Sequence, residues 1–524
     1  MPKSTTPYWI AAFVLGSGVD ILFWGKPVGI SFFIWAVLAL SSAWFLTLKS
    51  GSRPARANIL LGIIILGLAV QPFLRAEPFS QALGILLALL GLMIWAATLR
   101  NGNWLHFTLW DYIRAVAVLI FAALTRPFQQ PNPGENHPAS GQYAVHLQQG
   151  RAVLRGLLLA LPIVGLLALL LASADLVFAQ RIESVLQALR LDKLSETLFR
   201  LFYVLVLTVV FCGVLLHAVL PRQEIRPSDR EAPFLSPFLG WTESSIVLGS
   251  VNALFAFFVI LQFRYLFGGQ VNIHEAGFTY AEYARRGFGE LVWVALISLG
   301  LVLTLHTITR RETPIRQRSF ILLNGLLIGM VLVILASALQ RLILYEQAYG
   351  FTRLRTYTYL FIPWLGLLLL TILGLLFSNQ MRRVGLFFVI FGLGFGLLLG
   401  FWNVDSWIAR QNIQRAINGQ DLDGDYLQML SADAVPELIR QVNQAGLPAS
   451  ARQEILIGLA CRAAQSSPSN PPWQSFNLSQ NRADNLLGSH AGLWQKYPVE
   501  VDSYGSYVLV DGQHRYCGYA ERWD

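Results

Sequence analysis

The sequence predicts an all-α, polytopic transmembrane helix bundle of about twelve spans, followed by a small, mainly helical soluble domain. Three observations predict it. Of 524 residues, 55% are hydrophobic and 13% are charged, about half the charged fraction of an ordinary soluble chain. The apolar residues gather into long runs. The charge balance also changes sign at Asn403. Residues 403–524 carry 9 Lys and Arg against 13 Asp and Glu, whereas residues 1–402 carry 30 against 17. A basic, apolar transmembrane domain (1–402) therefore precedes an acidic, more polar C-terminal soluble domain (403–524). This composition excludes collagen, a disordered chain and a disulfide-rich secreted scaffold, and it argues strongly against a purely soluble enzyme.

A hydrocarbon core of ~30 Å needs ~20 apolar residues as helix. Such runs fall roughly at 8–24, 28–48, 58–74, 79–99, 107–125, 153–175, 198–220, 244–266, 288–308, 320–345, 357–378 and 384–402. The first two are joined by the tight turn Gly25-Lys26-Pro27. The first run lacks the basic start and small-residue cleavage site of a signal peptide. Residues 126–150 are rich in Pro, Gln and Asn and read as a flexible loop. In 181–200, Ile182, Val185, Leu186, Leu189 and Leu194 share one helical face. That segment is either an interfacial helix or a cap on the bundle.

The net charge of +9 does not imply nucleic acid as a partner. The basic residues sit in short gaps between apolar runs, where headgroups and positive-inside bias account for them. With both termini on one side, the two sides carry 15 and 14 Lys and Arg, with Arg114 left inside a span. That tie leaves the orientation open. The Arg-dense, aromatic-free loops TRRETPIRQR and SNQMRR suggest a cytoplasmic side. The Gly- and Tyr-rich loops and the tail are then extracytoplasmic.

In the tail, NVDSWIARQNIQRAI is amphipathic. DGDYLQMLSADAVPELIRQVNQ reads as two short helices with Asp433 as N-cap and Pro436 early in the second. The end of the chain alternates in part around Asp511-Gly512, which allows a hairpin. Cys212 lies in a span and reads as core. Cys461 and Cys517 both lie in the tail, and an outside tail would allow them to pair, although two cysteines at this spacing do not by themselves imply a disulfide. No CxxC or His/Cys cluster occurs, so no metal site is expected.

Asp421, Asp423 and Asp425 suggest a calcium loop, but the required sixth-position Gly and twelfth-position Glu are Tyr426 and Ala432. These acids read instead as helix caps. Asp20, Asp111, Asp175, Glu243, Glu290 and Glu346 all fall at span ends, where they reach water. No Asp, Glu, Lys or Arg is central in a run apart from Arg114, which weakens an ion-coupled transporter. Nucleotide, nucleophile-elbow and HExxH motifs are absent, so neither catalytic residues nor cofactors are assigned. The run Gly392, Gly394, Gly396 and Gly400 reads as close helix packing. Two stretches stand out as a surface for an anionic ligand or lipid headgroup. One holds Tyr265, Tyr280, Glu282, Tyr283 and Arg285. The other holds Arg341, Glu346, Tyr349, Arg353 and Arg355. Arg beside Tyr at headgroup level suits a phosphate, and it also suits plain anchoring of helix ends.

An ordered set of motifs runs along the body. Asp20-x-x-Phe-Trp-Gly25-Lys26-Pro27-x-Gly29 comes first, then Arg75-Ala-Glu77-Pro78-Phe79, Gly102-Asn103-Trp104, Asp111-Tyr112-x-Arg114 and Arg126-Pro127. YLFGG before TYAEYARRGF, LYEQAYGFTRLRTY, NVDSWIARQNIQRA and DYLQMLSADAVPEL follow. Together they resemble a bacterial multi-pass membrane family catalogued as a domain of unknown function, number four-one-seven-three. The similarity spans about residues 10–445. It implies a bacterial cytoplasmic membrane and brings no reaction, ligand or partner.

The reading is a non-enzymatic membrane protein acting as sensor, scaffold or partner. Its partners are the lipid bilayer, anionic lipid headgroups at the Tyr/Arg surface, and a membrane or extracytoplasmic protein at the C-terminal domain. The alternatives are a transporter or lipid-handling protein, and a membrane enzyme on a lipid-linked substrate.

Overall fold

The computed structural model describes residues 5–128, 192–220, 237–266, 288–465, 471–502, 505–510 and 513–517, with isolated positions between 160 and 181. The body holds α1 (Thr6–Phe23), α2 (Ile30–Lys49), α3 (Arg56–Ala69), α4 (Pro78–Thr98), α5 (Leu109–Thr125), α6 (Asp192–Val219), α7 (Trp241–Leu266), α8 (Phe288–Ile308), α9 (Pro314–Tyr349), α10 (Arg353–Phe377) and α11 (Val384–Phe401). Among the described residues, ten helices are long and apolar enough to cross a membrane; these are α1–α4 and α6–α11, with α3 extended to Leu74. The chain is a multi-pass membrane protein.

Local chemistry sets the helix ends. Glu77 caps α4, accepting from the N–H groups of Phe79 (2.8 Å) and Ser80 (2.6 Å), with Pro78 in the first turn. Thr108 and Asp111 cap α5 reciprocally. Between α9 and α10 the chain turns at Gly350 (φ 80°), where a Cβ would strike Asn412 and Arg415.

The body has two apolar cores. One gathers α1–α6, with Leu61, Ile65, Leu68 and Trp95 deeply buried. The other gathers α7–α10 around Phe320, Ile328, Ile334 and Ile372. α11 joins them, giving Leu393 to the first and Val384 to the second. Its glycines allow that position. A Cβ at Gly396 would strike Leu87 and Leu68, one at Gly394 would meet Trp364 at 3.0 Å, and one at Gly400 would strike Gln71. Gln71 is fully buried in the slot so formed and donates to the Gly396 carbonyl (2.9 Å). The glycine run is thus a packing surface.

The ends of the spans define two sides. The tail touches the α1–α2 turn, the α3–α4 turn and the α9–α10 turn, and this is the near side. The α2–α3, α4–α5, α8–α9 and α10–α11 turns lie on the far side. Gln317 bonds Asn379 there (3.3 Å), and a Cβ at Gly102 would meet Ala55 at 2.9 Å.

Helix α5 departs from the sequence expectation for residues 107–125. It begins on the far side, where a Cβ at Gly385 would meet the Leu109 nitrogen at 2.5 Å. It also ends there. Ala123 packs against Gly213 late in α6, and Arg126 donates to the Leu216 carbonyl (3.1 Å). Both ends therefore contact far-side ends of spans. Ala115, Leu119, Ala122 and Ala123 face the bundle, while Trp110, Ile113, Phe121 and Leu124 are exposed. This is an amphipathic helix lying along one leaflet. It reverses the side assigned to the first four turns, so the α1–α2 and α3–α4 turns join the tail. The run 153–175, the 181–200 helix and the 126–150 loop lie largely outside the described residues.

The tail comprises α12 (Val404–Ile417), α13 (Gly424–Met429), α14 (Val435–Gln441), α15 (Ala449–Gln465), α16 (Leu478–Ser489) and strands β1 (Val499–Asp502), β2 (Gly505–Val510) and β3 (Gln513–Tyr516). The strands form an antiparallel sheet in the order β1-β2-β3, with Val510 opposite Gln513. Cys461 on α15 is disulfide-bonded to Cys517 after β3. Cys212 is buried and free. Asp423 caps α13, and among the described residues no three His, Cys, Asp or Glu side chains form a metal cluster.

The placement of α5 predicts a labelling pattern. Asn101→Cys and Phe128→Cys, each in a chain lacking Cys212, should react with an impermeant maleimide from the same side of the membrane. Reaction from opposite sides would restore α5 as a span.

Candidate functional site

Two polar clusters of the near side lie where the tail meets the body, and a third joins Arg200 of α6 to Asp20 of α1 (2.9 and 2.7 Å). The larger of the first two is the seam between the body and the tail. Asp405, in the first turn of α12, has no exposed surface. Arg353, opening α10, grips it in fork geometry, with Nε to Oδ1 at 2.9 Å and a terminal nitrogen to Oδ2 at 2.6 Å. The Ser431 N–H also donates to Oδ2 (2.6 Å). The backbone N–H of Arg353 donates to the Tyr426 hydroxyl (2.6 Å).

Asp433 does not cap its own helix, as the sequence suggested. The N-cap of α14 is Ala434, without a side-chain cap, and Ser431 caps the 3-10 turn Ala432–Ala434 that precedes it. Asp433 is buried and reaches across to the body, accepting from the N–H groups of Ala76 (2.9 Å) and Glu77 (3.0 Å). Glu77, also buried, accepts from the Tyr357 hydroxyl (2.5 Å). Arg75 donates to the Gly400 and Phe401 carbonyls and lies 3.9 Å from Asp433. On the tail side Arg462 donates to the carbonyls of Gln428 (3.0 Å), Ser431 (2.6 Å) and Leu430. Burial pulls its guanidinium below the ordinary value, and Asp405 opposes that pull. Burial likewise raises the Tyr426 phenol.

Three buried acids thus meet Arg75, Arg353 and Arg462. Each acid accepts from this chain's own donors, as buried charge requires. The arrangement joins two parts of the chain, with Asp433 Oδ1 buried, 3.9 Å from Arg75 and without a hydrogen-bond partner of its own among the described residues.

The smaller cluster is the α9–α10 turn. Arg355 lies 4.0 Å over the Tyr345 ring, bonds its hydroxyl (3.0 Å) and donates to the Gly350 carbonyl (2.6 Å). Tyr345 meets Tyr349 edge-on at 5.1 Å. Arg415 closes the end of α9 through the Gln347 and Ala348 carbonyls.

The predicted site residues divide accordingly. Glu346, Tyr349 and Arg355 share the turn, with Glu346 buried and Tyr349 exposed. Arg341 lies two turns earlier on α9. Arg353 points elsewhere and is engaged by Asp405. Tyr280, Glu282, Tyr283, Arg285 and the Tyr265 side chain lie outside the described residues. Asp405, Asp433, Glu77, Tyr357, Tyr426 and Arg462 were missed as a site. All but Arg462 stand inside motifs of the ordered set, and that was the available signal.

Comparison with protein families matches residues 61–441 to a family described as Domain of unknown function (DUF4153). The chain belongs to that family. The motif resemblance gave the number four-one-seven-three; the multi-pass membrane character it implies holds here. No curated protein and no solved structure matches the chain. The matched segment runs from α3 to the end of α14. It contains every seam residue named above except Arg462.

The seam predicts an asymmetric mutational response. Arg353→Ala leaves Asp405 buried and unpaired and should cost about 3–5 kcal/mol. Replacing both, Arg353→Met with Asp405→Leu, should cost less. Unfolding of the purified protein, with trypsin release of the tail as second readout, checks the order.

Proposed function

We propose that the chain is a non-enzymatic membrane protein whose tail, fixed to the extracytoplasmic face, serves as a scaffold, sensor or partner surface. The observation that carries this reading is the seam. It holds the tail and the span ends as one unit, with its acids engaged in holding rather than open to a substrate.

The outer face of the sheet supplies a surface. Tyr507 packs against His514 (4.3 Å) and Tyr516 (6.2 Å), and Leu509 and Tyr516 are half exposed. Aromatic side chains of this kind are enriched at protein interfaces. The opposite face of the sheet buries Val508 against Ile457 and Cys461.

Two observations support an extracytoplasmic tail. The Cys461–Cys517 disulfide suits an oxidising compartment. The Lys and Arg tie also resolves once α5 lies along the far side. Among the described residues before Asn403, leaving out the isolated positions between 160 and 181, the near side carries eight: Lys26, Arg75, Lys193, Arg200, Arg264, Arg341, Arg353 and Arg355. The far side carries the other twelve: Lys49, Arg53, Arg56, Arg100, Arg114, Arg126, Arg310, Arg311, Arg316, Arg318, Arg382 and Arg383. Twelve against eight favours a cytoplasmic far side.

Alkaline phosphatase fused after Asp524 should be active, and a fusion after Ser52 inactive. The reverse result rejects this orientation. For the partner reading, a photo-crosslinking residue at Tyr516 in intact cells should yield a discrete protein adduct that the same residue at Ile315 does not. Lipid adducts alone at both positions count against it.

A further inference from the structure

On the far side, a cleft of about 600 Å³ opens where α8 turns into α9. Pro237, His306, Arg310, Arg311, Gln317 and Asn379 line it, together with Thr309 and Glu312. We propose that this cleft binds a phosphate group, carried either by an anionic lipid headgroup or by a small free anion.

The charge argument comes first. Arg310 and Arg311 both line the cleft, and among the described residues neither has a carboxylate partner. Glu312 is paired with Arg316 (3.2 Å). Two adjacent cations in a recess repel each other and favour an anion between them.

The geometry adds a built character. Arg310 is tethered through Nε to the Pro237 carbonyl (2.7 Å). Arg311 donates to the His306 carbonyl (2.8 Å), contacts His306 Nδ1 (3.2 Å) and lies 5.1 Å over the Phe320 ring. These bonds use part of each guanidinium and hold the rest in place. A guanidinium has five N–H donors in a fork that matches phosphate oxygens. Asn379 extends the donor set. Its Oδ1 accepts from Gln317 Nε2 (3.3 Å), so its own amide N–H groups remain as donors. Its backbone is left-handed (φ 55°), a conformation Asn tolerates better than most residues.

A topological signal needs only positive charge in a solvated loop. It requires no recess, no tether on each arginine and no amide pair. Burial lowers the Arg311 guanidinium below its ordinary value, and a bound anion opposes that effect. His306 lies in the last turn of α8, which puts the recess at headgroup depth.

The test uses the full chain, purified and delipidated. Vesicles of phosphatidylglycerol and of phosphatidylcholine probe the lipid source, and inorganic phosphate, read by thermal shift, probes the free one. Arg310→Gln with Arg311→Gln is compared with Lys49→Gln with Arg53→Gln, which removes two charges from the same side outside the cleft. The cleft pair should weaken one probe by about tenfold while the control pair leaves it within about twofold. Loss of phosphatidylglycerol alone assigns a headgroup, and loss of inorganic phosphate alone assigns a free anion. If the double variant does not fold, the exposed Arg310→Gln alone should still weaken the same probe by about threefold. Equal losses in cleft and control variants overturn the proposal. So does failure of the unaltered protein to prefer phosphatidylglycerol or to respond to phosphate.

Discussion

Asp405 is a carboxylate with no exposed surface, and a charge in that place has to be matched. Arg353 matches it from the body, and the Ser431 N–H matches it from the tail. The consequence reaches across the whole near side. Because Arg353 opens α10, holding its guanidinium fixes the α9–α10 turn against α12. Asn412 then pairs with Phe351 in both directions (2.8 and 2.9 Å). Asp433 repeats the device at the α3–α4 turn, and Asn477 repeats it again through the Pro72 and Arg75 carbonyls. Apolar packing follows the same boundary. Ala76, Leu83, Tyr357, Leu360 and Phe395 of the body pack on the tail core, and Leu399 belongs to it. The tail is therefore bound through charge and apolar contact together, and it forms an outer layer on the bundle.

The second constraint is the in-plane helix α5. Its 17 residues are apolar enough to look like a span when only mean hydropathy is counted. Its sequence carried contrary signs. Arg114 was the one basic residue central in a predicted run, and the structure leaves it exposed on α5. Asp111 at the helix start forms a capping box, as at a helix entering from water. The balanced Lys and Arg count was a third sign, since miscounting one crossing transfers every later turn to the wrong side. Removing that crossing turns the tie into a twelve-to-eight bias among the described residues. It also puts the motifs around Gly25 and Glu77 on the side where the tail lies.

Much of the architecture was legible because long apolar runs and their breaks are strong signals. The helices beginning at Ile30, Pro78, Phe288 and Val384 lie close to their predicted runs. The amphipathic stretch from Asn403 became α12, and the Asp421–Asp425 acids ended as a cap. The site was less legible. Arg353 and Arg355 are two residues apart and look equivalent in sequence, yet a helix start sends them in different directions. One enters the seam and the other stacks on Tyr345. The partners of Glu77, Asp433 and Arg353 are 280, 357 and 52 residues away. No local pattern states such pairings. The motif order held the information without its geometry, since RAEPF, FTRLRTY, NVDSW and the SAD of DYLQMLSADAVPEL are the segments that meet at the seam.

The central claim is that the tail is locked to the body by donors pointing at buried acids. Hydrogen exchange of the intact protein measures this at the backbone. The N–H groups of Ala76, Glu77 and Ser431, which donate to Asp433 and Asp405, should exchange as slowly as those of α12, because they open only when the seam opens. Fast exchange at these three positions beside slow exchange in α12 would contradict the account, showing a tail that folds on its own and is only loosely placed against the membrane domain.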